Sequence, residues 1–230
     1  MAIALAKDFI EKVKDKQNKH LTVALAGGST PEKFYRTLAK PEFEQQIDWY
    51  NVHFFFGDER CVKPEDPQRN YGMVKFALLN SIDLPKENIH RIKGENEPDQ
   101  EASKYGREIE RNLVKSNGLP AFDIMYLGLG TDGHTASLFP NTENLDINDQ
   151  YCSVATHPQS GQRRITLNLE LINNSREINF IVTGSRKAEI IDKLVGKKAH
   201  SKNYPASLVR EGGESINWYL DRDAAKFLKT

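Results

Sequence analysis

The sequence predicts an α/β fold, a largely parallel sheet with helices on both faces, and three observations carry that expectation. Short apolar runs, interrupted by charge only at Asp123, recur at residues 21–26, 52–56, 122–127 and 178–182, as strands buried on both faces do. Segments with apolar residues at helical spacing lie between them, and alternation of the two patterns favours parallel strands over hairpins. Each run also ends at or one residue before a glycine-containing turn: Gly27-Gly28, Gly57, Gly128 with Gly130, and Gly184. No internal repeat, low-complexity stretch or linker interrupts the pattern, so residues 1–230 read as one domain.

Taken in order, residues 2–17 place Ile3, Leu5, Phe9, Ile10 and Val13 at helical spacing. Residues 21–26 form the first strand. Ser29 then reads as a hydroxyl cap with Pro31 in the first turn and Glu32 closing a capping box, opening a helix through Phe34, Tyr35 and Leu38. The second strand, 52–56, ends in Gly57-Asp58-Glu59-Arg60, expected as a charged rim. A Pro- and Asp-rich loop covers 62–69, and Asn70 is expected to cap a helix through Met73, Phe76, Leu78 and Leu79. Residues 89–92 suggest a short strand, and 98–115 a polar surface helix. The third clear strand, 122–127, runs into a glycine-rich turn and a short apolar helix with His134 in its first turn. Val154 and residues 164–169 give shorter strand-like pieces. The fourth strand, 178–182, leads through Gly184-Ser185 into a helix over 187–194. A last strand, 216–220, precedes a C-terminal helix.

Composition narrows the function. Lys plus Arg equals Asp plus Glu at 32 each, and mean hydropathy is −0.61. A neutral chain has no global field to attract nucleic acid or an anionic membrane, so an anionic ligand needs locally placed cations. No run approaches a membrane span. The apolar stretch from Ala2 to Ala6 is too short for a signal core and has no basic residue before it. Cys61 and Cys152 have no metal-ligand partner at short spacing and build no disulfide framework. A cytoplasmic protein is expected, with no nucleic acid or membrane partner. No HExxH, cysteine pair or calcium-loop spacing suggests a metal.

Ligands of open α/β sheets bind outside the C-terminal ends of the strands, and four segments with chemical potential fall there. Gly27-Gly28-Ser29-Thr30-Pro31 has the composition of a phosphate loop: glycines admit an anion to the backbone, and a helix start offers free N–H groups. It is neither a Walker loop nor a dinucleotide fingerprint. Arg60 can fork onto a phosphate, and Asp58 can orient a catalytic group or serve as a structural acceptor. Asp132 and His134 are the sharpest pair. A neutral imidazole at a helix start is a candidate base, and glycines 128, 130 and 133 around it imply a backbone shape that other residues resist. Arg164 and Lys187 are candidates for charge neutralisation. His20, His53, His90, His157 and His200 are expected to be surface or structural.

Together these blocks resemble 6-phosphogluconolactonases: Ala26 to Pro31, Gly57 to Arg60, Asn70-Tyr71, Gly128 to Pro140, Arg164 to Thr166 and Gly184 to Ala188. The Asp-Gly-His-Thr-Ala-Ser-Leu-Phe-Pro block, residues 132–140, is the most specific. The resemblance implies a modified Rossmann-like α/β fold and hydrolysis of 6-phospho-D-glucono-1,5-lactone to 6-phosphogluconate. It implies no cofactor and a sugar phosphate as partner; separately, a monomer or weak homo-oligomer is expected. It makes His134 the catalytic residue; Asp132 and Asp58 stand beside it as catalytic candidates on the residues' own showing, their exact roles open. Gly27, Gly28, Ser29, Thr30, Arg60, Arg164 and Lys187 then surround the phosphate. Glucosamine-6-phosphate deaminases share the Asp-Gly-His block but carry a proton-moving glutamate where this chain has Phe139, and an aromatic where it has Arg60. A non-catalytic sugar-phosphate-binding homologue is the third alternative.

No Ser-His-Asp or Cys-His nucleophile is evident. The expected mechanism is therefore attack of water activated by His134, with backbone N–H groups of the glycine turns as candidate oxyanion donors. Whether Arg163 or Arg164 faces the ligand is left open by the unusual segment 159–163.

Overall fold

The computed structural model describes residues 1–16, 20–196, 200, 202–209 and 215–228. Helix α1 (Ala2–Asp15) buries Leu5, Ala6, Phe9 and Ile10 along one stripe and leaves Ile3 exposed. Strand β1 (Leu21–Leu25) is buried at every position, and α2 (Ser29–Leu38) and the short α3 (Pro41–Glu44) follow. Strand β2 (Val52–Phe56) pairs in parallel with β1 from Leu21↔Val52 to Leu25↔Phe56. Beyond it come β3 (Asp58–Arg60), α4 (Asn70–Ala77), α5 (Pro98–Asn112) and a two-residue hairpin of β4 (Lys115–Ser116) with β5 (Leu119–Pro120). The second half holds β6 (Ile124–Leu127), β7 (Cys152–Thr156), β8 (Arg163–Leu167), α6 (Leu169–Asn173), β9 (Glu177–Val182), α7 (Ala188–Ile191) and β10 (Ser215–Leu220).

Among the described residues five strands form one parallel sheet in the order β10-β9-β6-β1-β2. Full burial of β1 and β6 means that both faces are covered, as an all-parallel sheet requires. The chain winds outward from β1 to β2, then returns to the other side of β1 for β6. This reversal lies between β1 and β6, where a crevice opens at the C-terminal strand ends. Under the sheet the ring of Phe9 meets those of Phe34, Trp49 and Phe54, with centroids 6.2–6.5 Å apart, and such clusters dominate core energetics.

A second, antiparallel sheet of order β3-β8-β7 was not expected. The charged rim 58–60 is a strand within it, and Glu59 is 1% exposed. Gly57 joins the two sheets: its N–H donates to Leu25 O, and its carbonyl accepts from the N–H of Leu167. Three charges in sequence read as solvent-facing only while no partner strand is known. The partner here, β8, lies a hundred residues downstream.

Several local expectations are corrected. Gly28, not Ser29, caps α2, and Glu32 pairs with Arg36 at 2.7 Å instead of closing a capping box. Asn70 is the first residue of α4, not its cap; the carboxylate of Glu59 holds the helix start by accepting from the N–H groups of Asn70 and Tyr71. Phe76 is exposed. Residues 89–92 form only an isolated bridge, Ile89 to Phe54, and α5 ends at Asn112. The expected helix over 187–194 is a 3-10 turn, then α7, then a π-helical segment. Residues 222–227 form turns rather than a C-terminal helix. Residue 17, the expected end of the first helix, lies outside the described residues. No helix among those described is long and apolar enough to cross a membrane.

Three histidines are linked at the β2 edge. His53 Nε2 lies 3.0 Å from His20 Nδ1, and His53 Nδ1 lies 3.1 Å from His90 Nε2, while Glu108 takes His90 Nδ1 at 2.8 Å. Burial, then the neighbouring His20 and His90, pull His53 down to about 4. The fold thus favours the neutral ring. Its stabilisation is complete above about pH 6.5, the ordinary histidine value, and is lost as pH falls toward 4. Wild type should lose on the order of 1 kcal/mol more than His53→Asn across that window, a figure reduced for the ring's partial exposure. Urea midpoints measured against pH check this; parallel curves for the two proteins contradict it.

Candidate active site

The ends of β1, β2, β6 and β9 open into a cleft of about 260 Å³. It is lined by Gly27, Gly28, Ser29, Thr30, Asp58, Arg60, His134, Arg164 and Lys187, so residues spread over 160 positions meet at one place. Asp132 stands behind His134. Among the described residues no three His, Cys, Asp or Glu side chains converge as a metal donor set.

The loop after β1 needs both its glycines. Gly28 has φ 102°, a region costly to residues with a side chain. A Cβ on Gly27 would lie 1.9 Å from Asn70 Oδ1. The chain then enters α2, whose first N–H groups, those of Ser29 and Thr30, have no intrahelical partner by geometry and sit at the positive end of the helix dipole. Thr30 Oγ1 is 2.7 Å from Thr183 Oγ1, tying this loop to the end of β9.

The segment after β6 is a set of tight turns, not a helix. Gly130 N–H donates to His134 O, Gly133 N–H to Gly130 O, and the Thr135 hydroxyl to Gly128 O. Ala136, with φ 47°, leaves no room for a regular helix. The helix-dipole argument for a neutral His134 therefore falls. The N–H groups of Gly130 and Gly133 are also already engaged, which removes them as oxyanion donors. A carboxylate takes the helix's place: Asp132 Oδ1 lies 2.6 Å from His134 Nδ1 and accepts from the His134 N–H. Burial raises the Asp132 pKa, but the hydrogen bond and charge of His134 outweigh it and hold the group down at about 2. An ionised Asp132 accepts the proton on Nδ1 and leaves Nε2 as the basic nitrogen. Gly130 makes the pair possible, since a Cβ there would lie 2.1 Å from His134 Nδ1 and 2.3 Å from Asp132 Oδ1. Gly130→Ala should consequently lower kcat by at least about tenfold with the fold retained, because misplacing a reacting group by 1 Å costs more than that. Steady-state kinetics beside a circular dichroism melt check the split.

Asp58 is 7% exposed and both its oxygens are engaged. Ser137 Oγ donates to Oδ2 at 2.6 Å, Asn70 Nδ2 to Oδ1 at 3.0 Å, and Arg164 Nη1 stands 4.0 Å from Oδ2. Alternation along β8 sends Arg164 into the cleft, while Arg163 is solvent-exposed and pairs with Asp99 at 2.9 Å. Burial lowers the Arg164 pKa, Asp58 opposes this and Arg60 adds to it. Burial likewise lowers that of Lys187, against the pull of Asp132. Arg60 donates one Nη to Gln68 O. The Nε atoms of Arg60 and Arg164 are buried without a protein acceptor.

Sequence reasoning gave no site role to Asn70, Ser137, Glu59 or His157. Asn70 and Ser137 stood in recognisable blocks, yet Asn70 read as a cap and Ser137 as part of an apolar helix. His157 gave no signal. Its ring lies 5.0 Å from Phe139, whose other neighbour at 5.0 Å is His134. Burial, then Arg164 and His134, lower the His157 pKa. Its Nδ1 accepts from the N–H groups of Gln159 and Ser160, so its proton in the neutral form sits on Nε2.

The family model described as glucosamine-6-phosphate isomerases/6-phosphogluconolactonase matches residues 1–218. The 6-phosphogluconolactonase of Aggregatibacter actinomycetemcomitans is 42% identical over 224 residues, 97% of this chain and 94% of that protein. That of Haemophilus influenzae is 41% identical over the same length, with the same coverage. The solved structure of 6-phosphogluconolactonase from Trypanosoma brucei superposes with a TM-score of 0.87 at 28% identity, covering 99% of this chain and 94% of that one. The chain belongs to the glucosamine-6-phosphate isomerase/6-phosphogluconolactonase family.

Proposed function

We propose that this chain hydrolyses 6-phospho-D-glucono-1,5-lactone to 6-phospho-D-gluconate, in the oxidative pentose phosphate pathway, with His134 as general base toward water. The observation that carries the mechanism is the 2.6 Å contact of Asp132 with His134 Nδ1 in a cleft that also holds the α2 start, Arg60, Arg164 and Lys187. A δ-lactone is an activated ester, so modest acid-base help suffices. His134 Nε2 takes a proton from water as the water oxygen attacks the carbonyl carbon. Asp132 stabilises the imidazolium formed, which then protonates the departing ring oxygen. The phosphate sits on the α2 N–H groups and the three cations. Phe139 is fully buried beside His134 and has no proton to offer, which favours ester hydrolysis over the deaminase chemistry.

A coupled assay with freshly generated lactone, corrected for spontaneous hydrolysis, tests the proposal. Ammonia released from glucosamine 6-phosphate would point to the deaminase, and binding without turnover to a sensor. Lys187→Ala should raise KM by about 10–100-fold with kcat nearly unchanged, because a phosphate contact persists from ground to transition state and a charged hydrogen bond contributes about 1.5–3 kcal/mol. A fall in kcat at constant KM would remove Lys187 from the phosphate. We further place the enzyme in the cytoplasm, on its free Cys61 and Cys152, as one domain and as a monomer or weak homo-oligomer. One continuous apolar cluster running from Leu5 to Ala224 supports the single domain.

A further inference from the structure

A second cleft, of about 540 Å³, opens between α4, α5 and the segment joining them. Its volume falls within the range of small-molecule sites, about 300–1,000 Å³. Five cations line it: Lys75 from α4, Lys86, Arg91 and Lys93 from the connecting segment, and Lys104 from α5. Arg91 is held by Glu95 through two bonds of 2.7 and 3.0 Å. None of the four lysines pairs with a carboxylate among the described residues. The two acids in the lining are turned to other work. Glu101 is 3% exposed and accepts from Lys93 N–H and Asn96 Nδ2, and Glu108 is engaged by His90. A chain with no net charge thus concentrates unpaired positive charge around one concave surface. Leu79, Leu84, Ile89 and Tyr71 supply an apolar wall beside it.

We propose that this cleft binds a small polyanion that also carries an apolar ring, of the nucleoside polyphosphate class. Five cations around a cleft of about 540 Å³ exceed what one phosphate neutralises, and a chain of phosphates carries charge to match. The apolar wall then receives the base. The site is distinct from the catalytic cleft yet continuous with it through one turn. Tyr71 lines this cleft, while its neighbour Asn70 abuts Gly27 and bonds Asp58 in the other. Both hang on Glu59 through their backbone N–H groups, and the Tyr71 ring packs edge-on against Phe56 at 5.8 Å. Occupancy of the second cleft is therefore linked to the position of Asn70 and to KM, and the linkage is reciprocal.

The test is calorimetric titration of the full chain with ATP in the absence of divalent metal, with tripolyphosphate and adenosine as separate arms, repeated with saturating 6-phosphogluconate. The expected result is saturable ATP binding that survives 6-phosphogluconate, is at least tenfold tighter than tripolyphosphate, and is stronger than adenosine. Lys86→Glu/Lys104→Glu should weaken it at least tenfold and leave lactone hydrolysis without ATP unchanged. Displacement by 6-phosphogluconate would locate ATP in the catalytic cleft and overturn the proposal, as would unchanged affinity in the double variant. Equal binding of tripolyphosphate would remove the ring from the ligand class. Saturating ATP should change KM in wild type and not in the double variant; no change in wild type would overturn the link.

Discussion

His134→Ala should lower kcat for lactone hydrolysis by about 10²–10⁴-fold, the usual worth of positioned acid-base help, while 6-phosphogluconate still binds near its wild-type affinity. In the proposed mechanism the two effects separate, because the imidazole acts on the carbonyl end of the substrate and the cations on its phosphate. Asp132→Asn should show the same signature to a smaller extent: a lower kcat at similar KM. An amide can still contact Nδ1, but it no longer neutralises the imidazolium, and it can present its NH₂ and favour the wrong tautomer. Both variants should melt near wild type, since the pair lies at a cleft mouth and Asp132 is nearly half-exposed. Single-turnover kinetics with product-binding calorimetry read the split. Turnover of His134→Ala within threefold of wild type, after correction for spontaneous hydrolysis, sinks the general-base assignment.

The parallel sheet was legible because its strands are self-declaring. Residues 21–25 and 124–127 are buried at every position and 52–56 at all but His53, so all but Thr22 and His53 are apolar, whatever their partners. The antiparallel sheet was not. Asp58, Glu59 and Arg60 have the composition of a loop, and only pairing with Arg164, Ile165 and Thr166 makes them a strand. That is tertiary context overriding local preference. The turn at 131–140 failed for a related reason. Leu138 and Phe139 are buried by the surrounding structure rather than along a helical stripe, so apolar residues close in sequence mimicked a helix start.

The site was legible wherever chemistry forces a rare residue pattern. Gly27 and Gly130 are required because Asn70 and the Asp132–His134 pair occupy the space of their missing side chains. His134, Arg60 and Lys187 were found because each follows a strand end, whereas Arg164 opens one, β8. The supporting residues were hidden. Ser137 and Asn70 carry ordinary side chains whose value lies in reaching Asp58 from 79 and 12 positions away. His157 belongs to the loop between β7 and β8 and meets the site through the Phe139 ring.

Asp58 is where the sequence left two roles open and the geometry favours one. As a proton carrier it would need a free oxygen facing substrate; both oxygens are engaged by Ser137, Asn70 and the approach of Arg164. We expect a positioning residue. Asp58→Ala should cost about 2–4 kcal/mol of stability, because it leaves a largely buried guanidinium without its counter-charge and the buried Ser137 hydroxyl without its acceptor, while Asn70 Nδ2 keeps only the backbone carbonyl of residue 58. Asp58→Asn keeps the shape and one acceptor oxygen, so it should lose less. Its kcat should stay within a few-fold of wild type while KM rises, as Arg164 loses its anchor and holds the phosphate less well. A proton carrier predicts the reverse for Asp58→Asn: wild-type stability and KM, with kcat lower by about a hundredfold or more. Urea unfolding of both variants, with kcat and KM for Asp58→Asn, decides between the two roles even if the alanine variant fails to fold.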